Sequence, residues 1–238
     1  MENPSIPAIY TRSCSILGND AMHRLSQKKV IIFGIGGVGS WCAEGLIRTG
    51  LKHLTIVDSD NICVTNINRQ LMATCNTIGQ PKTQVMQRRL LEINPQADIT
   101  ALSARYTPDS AGQFQLDTYD VIIDCIDSVP DKADLILRAT QLYPRTILLS
   151  SMGATLRTDP TKICVAEFWK VQGDALARAL RNRFKRNRQF PAHQFQCVYS
   201  EEPPCPNLVQ GDGNGSLVHI TSIFGMTLSG LALKHLVR

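Results

Sequence analysis

The sequence predicts an α/β fold: a mostly parallel sheet with helices on both faces and a C-terminal extension. Three observations carry this. Short β-branched apolar runs alternate with segments of helical spacing, a glycine-rich turn joins the first run to the helix after it, and the texture changes beyond Ser150. We read one domain over residues 1–238, with a core over 1–150 and an extension over 151–238.

The first strand is expected at residues 28–34 (KKVIIFG), too uniformly apolar to have a wet face. A helix follows over 41–49, and a second strand over 53–58 (HLTIVD). Residues 82–93 have amphipathic spacing and stop before Asn94-Pro95, because the residue before a proline disfavours helix. Residues 98–102 form a weaker strand and 120–125 (DVIIDC) a strong one. A helix over 131–142 and a strand over 146–150 (TILLS) complete the alternation. In the extension, strands at 164–169 and 195–199 flank an arginine-rich helix over 175–190. A proline-rich loop (202–207) and a glycine-rich loop (211–215) lead to a last helix over 216–237. That stretch is broken by His219, glycines and Lys234, so it reads as a buried helix rather than a membrane span.

Length and an apolar fraction of 43% fit a packed globular chain, and the net charge of +5 is mild. The eight cysteines are scattered, with no Cys-x-x-Cys pair, which argues against a zinc site or disulfide framework and for reduced thiols in the cytoplasm. No basic-then-apolar leader opens the sequence.

Gly34, Gly36, Gly37 and Gly39 lie in GIGGVGS between the first strand and the helix that follows. Such a turn lets backbone approach phosphate, and the helix N-terminus offers free N–H groups. Asp58 ends the second strand, where a carboxylate can accept ribose hydroxyls. These features alone describe a Rossmann-like dinucleotide site, with a dehydrogenase as the default reading. The next residues move the reading away from it. Asn66, Asn68, Arg69 and Gln70 follow the second strand, Lys82 opens the next helix, and Asp127 and Ser128 follow DVIIDC. Two cations and an acid beside a phosphate turn suit nucleotidyl transfer: cations stabilise charge growing on an attacked phosphate, and a carboxylate can hold Mg²⁺.

GIGGVGS, VDSDNICVTNINRQ, GQPK and DCIDS, in this order, resemble the ATP site of the ThiF and ubiquitin-activating family. The resemblance implies an adenylating enzyme that binds ATP through the four glycines, Asp58, Asp60, Asn66, Arg69, Gln70, Lys82, Asp127 and Ser128. It assigns the ribose to Asp58, the phosphates to Arg69 and Lys82, and Mg²⁺ to Asp127. It also implies that Arg12, in YTRS, reaches the active site of a neighbouring subunit, making a homodimer; packing of the first helix is the plainer role for that residue.

Family members differ in what they adenylate. Relatives that activate a ubiquitin-like sulfur-carrier protein usually carry two Cys-x-x-Cys pairs, which are missing here. Of the thiols outside the main sheet region, Cys197 reads as core, and Cys205 lies on a loop without a companion base. The basic helix places Arg178, Arg181, Arg183, Lys185, Arg186 and Arg188 close together, with Asp174 the one nearby counter-charge. Arg178, Arg181 and Lys185 share a face by helical spacing. That face suits an RNA backbone, with Leu176, Leu180 and Phe184 turned inward; a merely solvated amphipathic helix is the alternative. SSMGATLRTDPTKI, the basic helix, FQCVYSEEPP and FGMTLSGLAL together resemble the tRNA threonylcarbamoyladenosine dehydratase branch of the family. That resemblance implies ATP-dependent dehydration of a threonylcarbamoyl side chain on tRNA to a cyclic form. Activation of a sulfur-carrier C-terminus is the alternative. The sequence leaves open a sulfur-acceptor partner and a monovalent cation site, since backbone carbonyls leave no signature.

Overall fold

The structure is a computed structural model that describes residues 7–209 and 214–238. The glycine-rich loop expected at 211–215 therefore lies mostly outside the described residues.

Helices α1 (Thr11–Leu17) and α2 (Asn19–Gln27) lead into β1 (Lys29–Phe33) and α3 (Gly39–Thr49). Then come β2 (His53–Val57), α4 (Lys82–Ile93), β3 (Asp98–Leu102), β4 (Val121–Asp124), α5 (Val129–Thr140) and β5 (Ile147–Ser151). The chain finishes with β6 (Ile163–Glu167), α6 (Ala175–Asn187), β7 (Gln196–Ser200) and α7 (Val218–Leu236). One seven-stranded sheet runs in the order β3-β2-β1-β4-β5-β7-β6. Every neighbouring pair is parallel except β6–β7.

β1 shows why the sheet is covered on both faces. Val30 and Ile32 enter one core with Cys42, Leu46, Met86 and Phe224. Ile31 and Phe33 enter the other with Ile122, Leu135, Ile136 and Phe184. Successive strand side chains point to opposite faces, so an unbroken apolar run needs two covers. Each such side chain contributes roughly 1.5–3 kcal/mol when fully buried.

The extension joins the same sheet. Ser150 pairs with Cys197 and Ser151 with Val198, so residues on both sides of position 150 share one set of strands. α7 packs directly on α3: a Cβ added at Gly225 would stand 2.4 Å from the Val38 carbonyl oxygen. Among the described residues no helix is long and apolar enough to cross a membrane. The helix boundaries shift where local chemistry dictates. α5 starts at Val129, earlier than expected, because Pro130 fits a first helical turn. α6 stops at Asn187, because Arg188 turns left-handed at φ 53° and caps it.

Candidate active site

The strand order reverses between β1 and β4, and the crevice at their C-terminal ends is where an open α/β sheet receives ligand. The glycine turn crosses that crevice. Gly34 has φ +88°, and a Cβ there would meet the Cys125 carbonyl oxygen at 2.7 Å. A Cβ on Gly39 would lie 1.9 Å from the Gly34 carbonyl oxygen, so the turn closes on itself with no room for a side chain. The Ser40 hydroxyl donates to the Gly36 carbonyl at 2.6 Å and fixes the turn from below.

Asp58 is already engaged with this backbone: Oδ2 accepts from Ile35 N at 2.7 Å and Oδ1 from Asp60 N at 2.9 Å. Lys82 is buried, with Nζ 2.7 Å from Asp60 and 3.7 Å from Asp58. The cation expected to face phosphate thus stands between two carboxylates at the mouth of the turn. Arg69 is half-buried, and its Nη1 donates to Thr65 O and Asn68 Oδ1, both at 2.9 Å. Gln70 is buried beneath Gly36, its Oε1 without a donor among the described residues.

Asp127 and Ser128 follow β4. The Asp127 carboxylate is exposed and makes no ion pair among the described residues. The loop carrying it is pinned from inside. Asp124 and Lys132 are both fully buried and 2.8 Å apart. Asp124 also accepts from Ser150 Oγ at 2.8 Å and Ile126 N at 3.1 Å, while Lys132 Nζ donates to Ile126 O at 3.0 Å.

A cavity of about 1610 Å³ gathers these groups: the glycine turn, Asp58, Asp60, Arg69, Gln70, Lys82, Asp127 and Ser128 all line it. It exceeds the ~300–1,000 Å³ usual for one small ligand. Its further walls come from residues 151–158, the start of α6 and the start of α7. Of the expected nucleotide contacts, Asn66 does not line it: its Oδ1 accepts from Cys63 N at 3.0 Å and shapes the preceding turn. Asn68 lines the cavity instead, donating through Nδ2 to Ser216 O at 2.9 Å.

The basic helix divides. Arg178 reaches the cavity wall; Lys185, Arg186 and Arg188 are exposed, and Arg183 is half-buried. None of these five is ion-paired among the described residues. Arg181 departs from the expectation of a shared outer face. Its Nη1 donates to Val171 O at 2.9 Å and Phe168 O at 3.3 Å, and its guanidinium covers the Phe168 ring. The Phe168 carbonyl also accepts from Val171 N at 3.3 Å, so the guanidinium closes a local knot of loop backbone and is drawn inward. Arg12 is exposed on α1 and does not line the cavity.

Sequence reasoning missed several groups around the cavity: Lys132 and Asp124, Arg157, and the Arg105–Asp131 pair at 2.7 Å; Asp174, read only as a counter-charge to the basic helix, also lines it. The DxxxxxxxK spacing across DCIDSVPDK is the one signal that could have linked the first two.

Residues 10–238 match the ThiF family, and this match spans the glycine turn, both strand-end loops and the extension. The chain belongs to the ThiF family. Among similar proteins is the tRNA threonylcarbamoyladenosine dehydratase of Haemophilus influenzae, 36% identical over 222 residues, covering 87% of this chain and 84% of that protein. The tRNA N6-threonylcarbamoyladenosine dehydratase of Escherichia coli, solved with ATP, superposes with a TM-score of 0.87 at 34% identity over 95% of this chain and 93% of the other. Solved with AMP, it gives 0.89 at 33%, covering 98% and 97%. The sulfur carrier protein ThiS adenylyltransferase of Escherichia coli is 31% identical, but over 56% of this chain and 53% of its own length.

Proposed function

We propose that this chain catalyses ATP-dependent dehydration of the threonylcarbamoyl side chain of threonylcarbamoyladenosine in tRNA, closing it into a ring. One observation carries the reading: a single cavity holds the phosphate turn with Lys82, Arg69 and Asp127, and its wall continues onto Arg178, the first cation of the basic helix. The likeness to the tRNA dehydratases runs through that helix and the extension.

The chemistry follows from the groups present. A carboxylate is a poor electrophile because its leaving group would be oxide. Its oxygen attacks the α-phosphorus of ATP, pyrophosphate leaves, and an acyl adenylate forms. A nucleophile of the same side chain then attacks the acyl carbon, loses its proton, and expels AMP, which carries away the carboxylate oxygen. The net change in the RNA is loss of one water. Lys82 and Arg69 face the growing phosphate charge, the glycine turn binds phosphate through backbone N–H groups, and Gln70 and Ser128 complete the nucleotide wall. Ring closure is intramolecular, so positioning supplies most of the help.

The donor set fits magnesium arriving with ATP: Mg²⁺ takes one or two carboxylates plus phosphates and water, and Asp127 offers a carboxylate with no ion-pair partner among the described residues. When bound, it neutralises the pyrophosphate leaving group. Arg178, Arg183, Lys185, Arg186 and Arg188 form the RNA face. Arg12, exposed on α1, serves a second copy of this chain in a homodimer. The reading assigns the work to the cytoplasm, where tRNA is modified.

The test is to incubate the protein with Mg-ATP and tRNA bearing threonylcarbamoyladenosine, digest the RNA, and weigh the nucleosides. Loss of one water, dependent on ATP and abolished by Asp127→Ala in a folded variant, is expected. An unchanged nucleoside, with adenylation of a carrier-protein C-terminus instead, would establish the alternative. For the dimer, mixing Arg12→Ala with Lys82→Ala subunits should restore activity, and confirmed heterodimers without rescue would remove the role in trans.

A further inference from the structure

Three cationic side chains around the cavity are almost wholly enclosed, and two of them are matched: Lys82 lies 2.7 Å from Asp60 and 3.7 Å from Asp58. Lys132 is fully buried and sits 2.8 Å from the carboxylate of Asp124. Arg157 is 5% exposed and lines the cavity, yet among the described residues no carboxylate lies within ion-pair distance of it. Among the described residues its Nε and Nη1 have no acceptor, and its Nη2 reaches only the Gly173 carbonyl, at 3.4 Å. The nearest acid along the neighbouring segment, Asp174, is committed elsewhere, accepting from Ala177 N at 2.7 Å and Gly153 N at 2.9 Å.

An arginine cannot escape this by losing its proton. A buried charge without a counter-charge is among the costliest features a fold can carry, so it points to an anion supplied from outside. The backbone around Arg157 is fixed. On its N-terminal side Leu156 N donates to Gly215 O at 2.8 Å, and Cys205 N to Leu156 O at 2.9 Å. On its C-terminal side Glu202 accepts from Thr158 N and Oγ1 at 2.8 Å and from Asp159 N at 2.9 Å. The backbone that carries the guanidinium is therefore fixed before any ligand arrives, and the side chain's enclosure keeps it at the wall.

We propose that Arg157 is an oxyanion receptor for the RNA substrate, set in the cavity wall between the segment after β5 and the first turn of α6. This rests on the RNA reading above and deepens it. The phosphates of ATP meet Lys82, Arg69 and the glycine turn, so the anion for Arg157 comes from the second substrate: a phosphodiester of the RNA or the carboxylate of the modified side chain. Both present the same chemistry, an oxygen bearing negative charge that accepts from Nε–H and Nη–H.

The experiment compares wild type with Arg157→Met, Arg157→Gln and Arg157→Lys by thermal melting, ATP binding and turnover on tRNA. Removing an unpaired buried charge should leave Tm unchanged or raise it. ATP affinity should hold, while affinity for tRNA falls roughly ten- to a hundredfold, with partial recovery in Arg157→Lys. If the anion is a phosphodiester, the salt dependence of tRNA binding flattens by about one unit of slope, and turnover of the free modified nucleoside is unaffected. If it is the carboxylate, the slope stays and kcat/KM falls for both substrates. Inorganic phosphate, titrated at saturating ATP, provides a readout independent of the reaction: it should raise the Tm of wild type more than that of Arg157→Gln. A lower Tm in every variant with unchanged tRNA affinity, or an equal phosphate effect in wild type and Arg157→Gln, overturns the assignment. Wild type that leaves modified tRNA untouched, yet shows the phosphate difference, would instead overturn the RNA reading and spare the receptor.

Discussion

Replacing Lys132 by methionine tests how the loop carrying Asp127 is held. Lys132 and Asp124 are fully buried and 2.8 Å apart, and Asp124 also binds Ser150 Oγ and Ile126 N. Lys132→Met keeps the volume but leaves a buried carboxylate without its counter-charge, at a cost of about 3–5 kcal/mol. For a domain of this size that is a fall in Tm of roughly 6–20 °C. The double variant Asp124→Asn/Lys132→Met removes both charges and should recover much of the loss, because groups in one network are not additive. Urea denaturation of the four proteins in the cycle gives the coupling directly. ATP turnover in Lys132→Met, measured well below its Tm, should also fall, since Nζ no longer holds the Ile126 carbonyl next to Asp127. A single variant within about 1 kcal/mol of wild type, or a double variant whose loss equals the sum of the singles, refutes the idea that this pair anchors the loop.

Gly39→Ala puts a Cβ 1.9 Å from the Gly34 carbonyl oxygen, so the turn must open. Calorimetry with ATP should show binding lost, alongside a destabilisation of about 1–3 kcal/mol or more. Glu202 has its carboxyl held down to about 2, first by the backbone N–H of Asp159 and then by Thr158. A carboxyl with a lowered folded-state pKa stabilises above its ordinary 4.5 and loses that contribution as pH falls toward 2. The Tm gap between wild type and Glu202→Gln should therefore be full at neutral pH and close across that acid range; a gap that persists at the acid end contradicts the assignment. Arg178→Glu/Lys185→Glu should weaken tRNA binding and flatten its salt dependence while sparing Tm. Arg181→Ala should do the reverse, because its guanidinium holds the Val171 and Phe168 carbonyls.

What the sequence disclosed was whatever short-range pattern encodes. Residues 82–93 and 98–102 form elements with the expected bounds, because heptad-like spacing, proline and β-branched runs act locally. Part of the glycine turn was legible for the same reason: Gly39 answers the Gly34 carbonyl five residues back, and Gly34 the Cys125 carbonyl at the neighbouring strand end. Partners distant in the chain were not. Arg181 shares a helical face with Arg178 and Lys185 by spacing alone, and only the fold reveals the loop carbonyls waiting beside it. Asn66 and Asn68 are equally placed in NIN, and the fold turns one to Cys63 and the other to Ser216. The union of β7 with β5 was likewise hidden, since two strands across an intervening helix carry no sign of which edge they will join. Arg157 stood in a motif of the extension, but nothing in LRTDP says that its charge is enclosed and, among the described residues, unmatched.

The thiols decide what kind of acceptor the acyl adenylate needs. Cys125 and Cys205 both line the cavity. Burial pushes the Cys125 thiol up to about 12, against the opposing pull of Lys132, so at neutral pH it carries its proton and is a poor nucleophile. The Cys205 thiol donates to Glu202 Oε1 at 3.7 Å. The thiol whose pKa is lowered, Cys63, receives the Thr65 hydroxyl on the exposed side of its turn and does not line the cavity. A relay that passes an acyl group from AMP to an enzyme sulfur therefore lacks its nucleophile where the phosphate turn would generate the adenylate. An acceptor that arrives within the activated substrate, as in the proposed ring closure, needs no enzyme thiol.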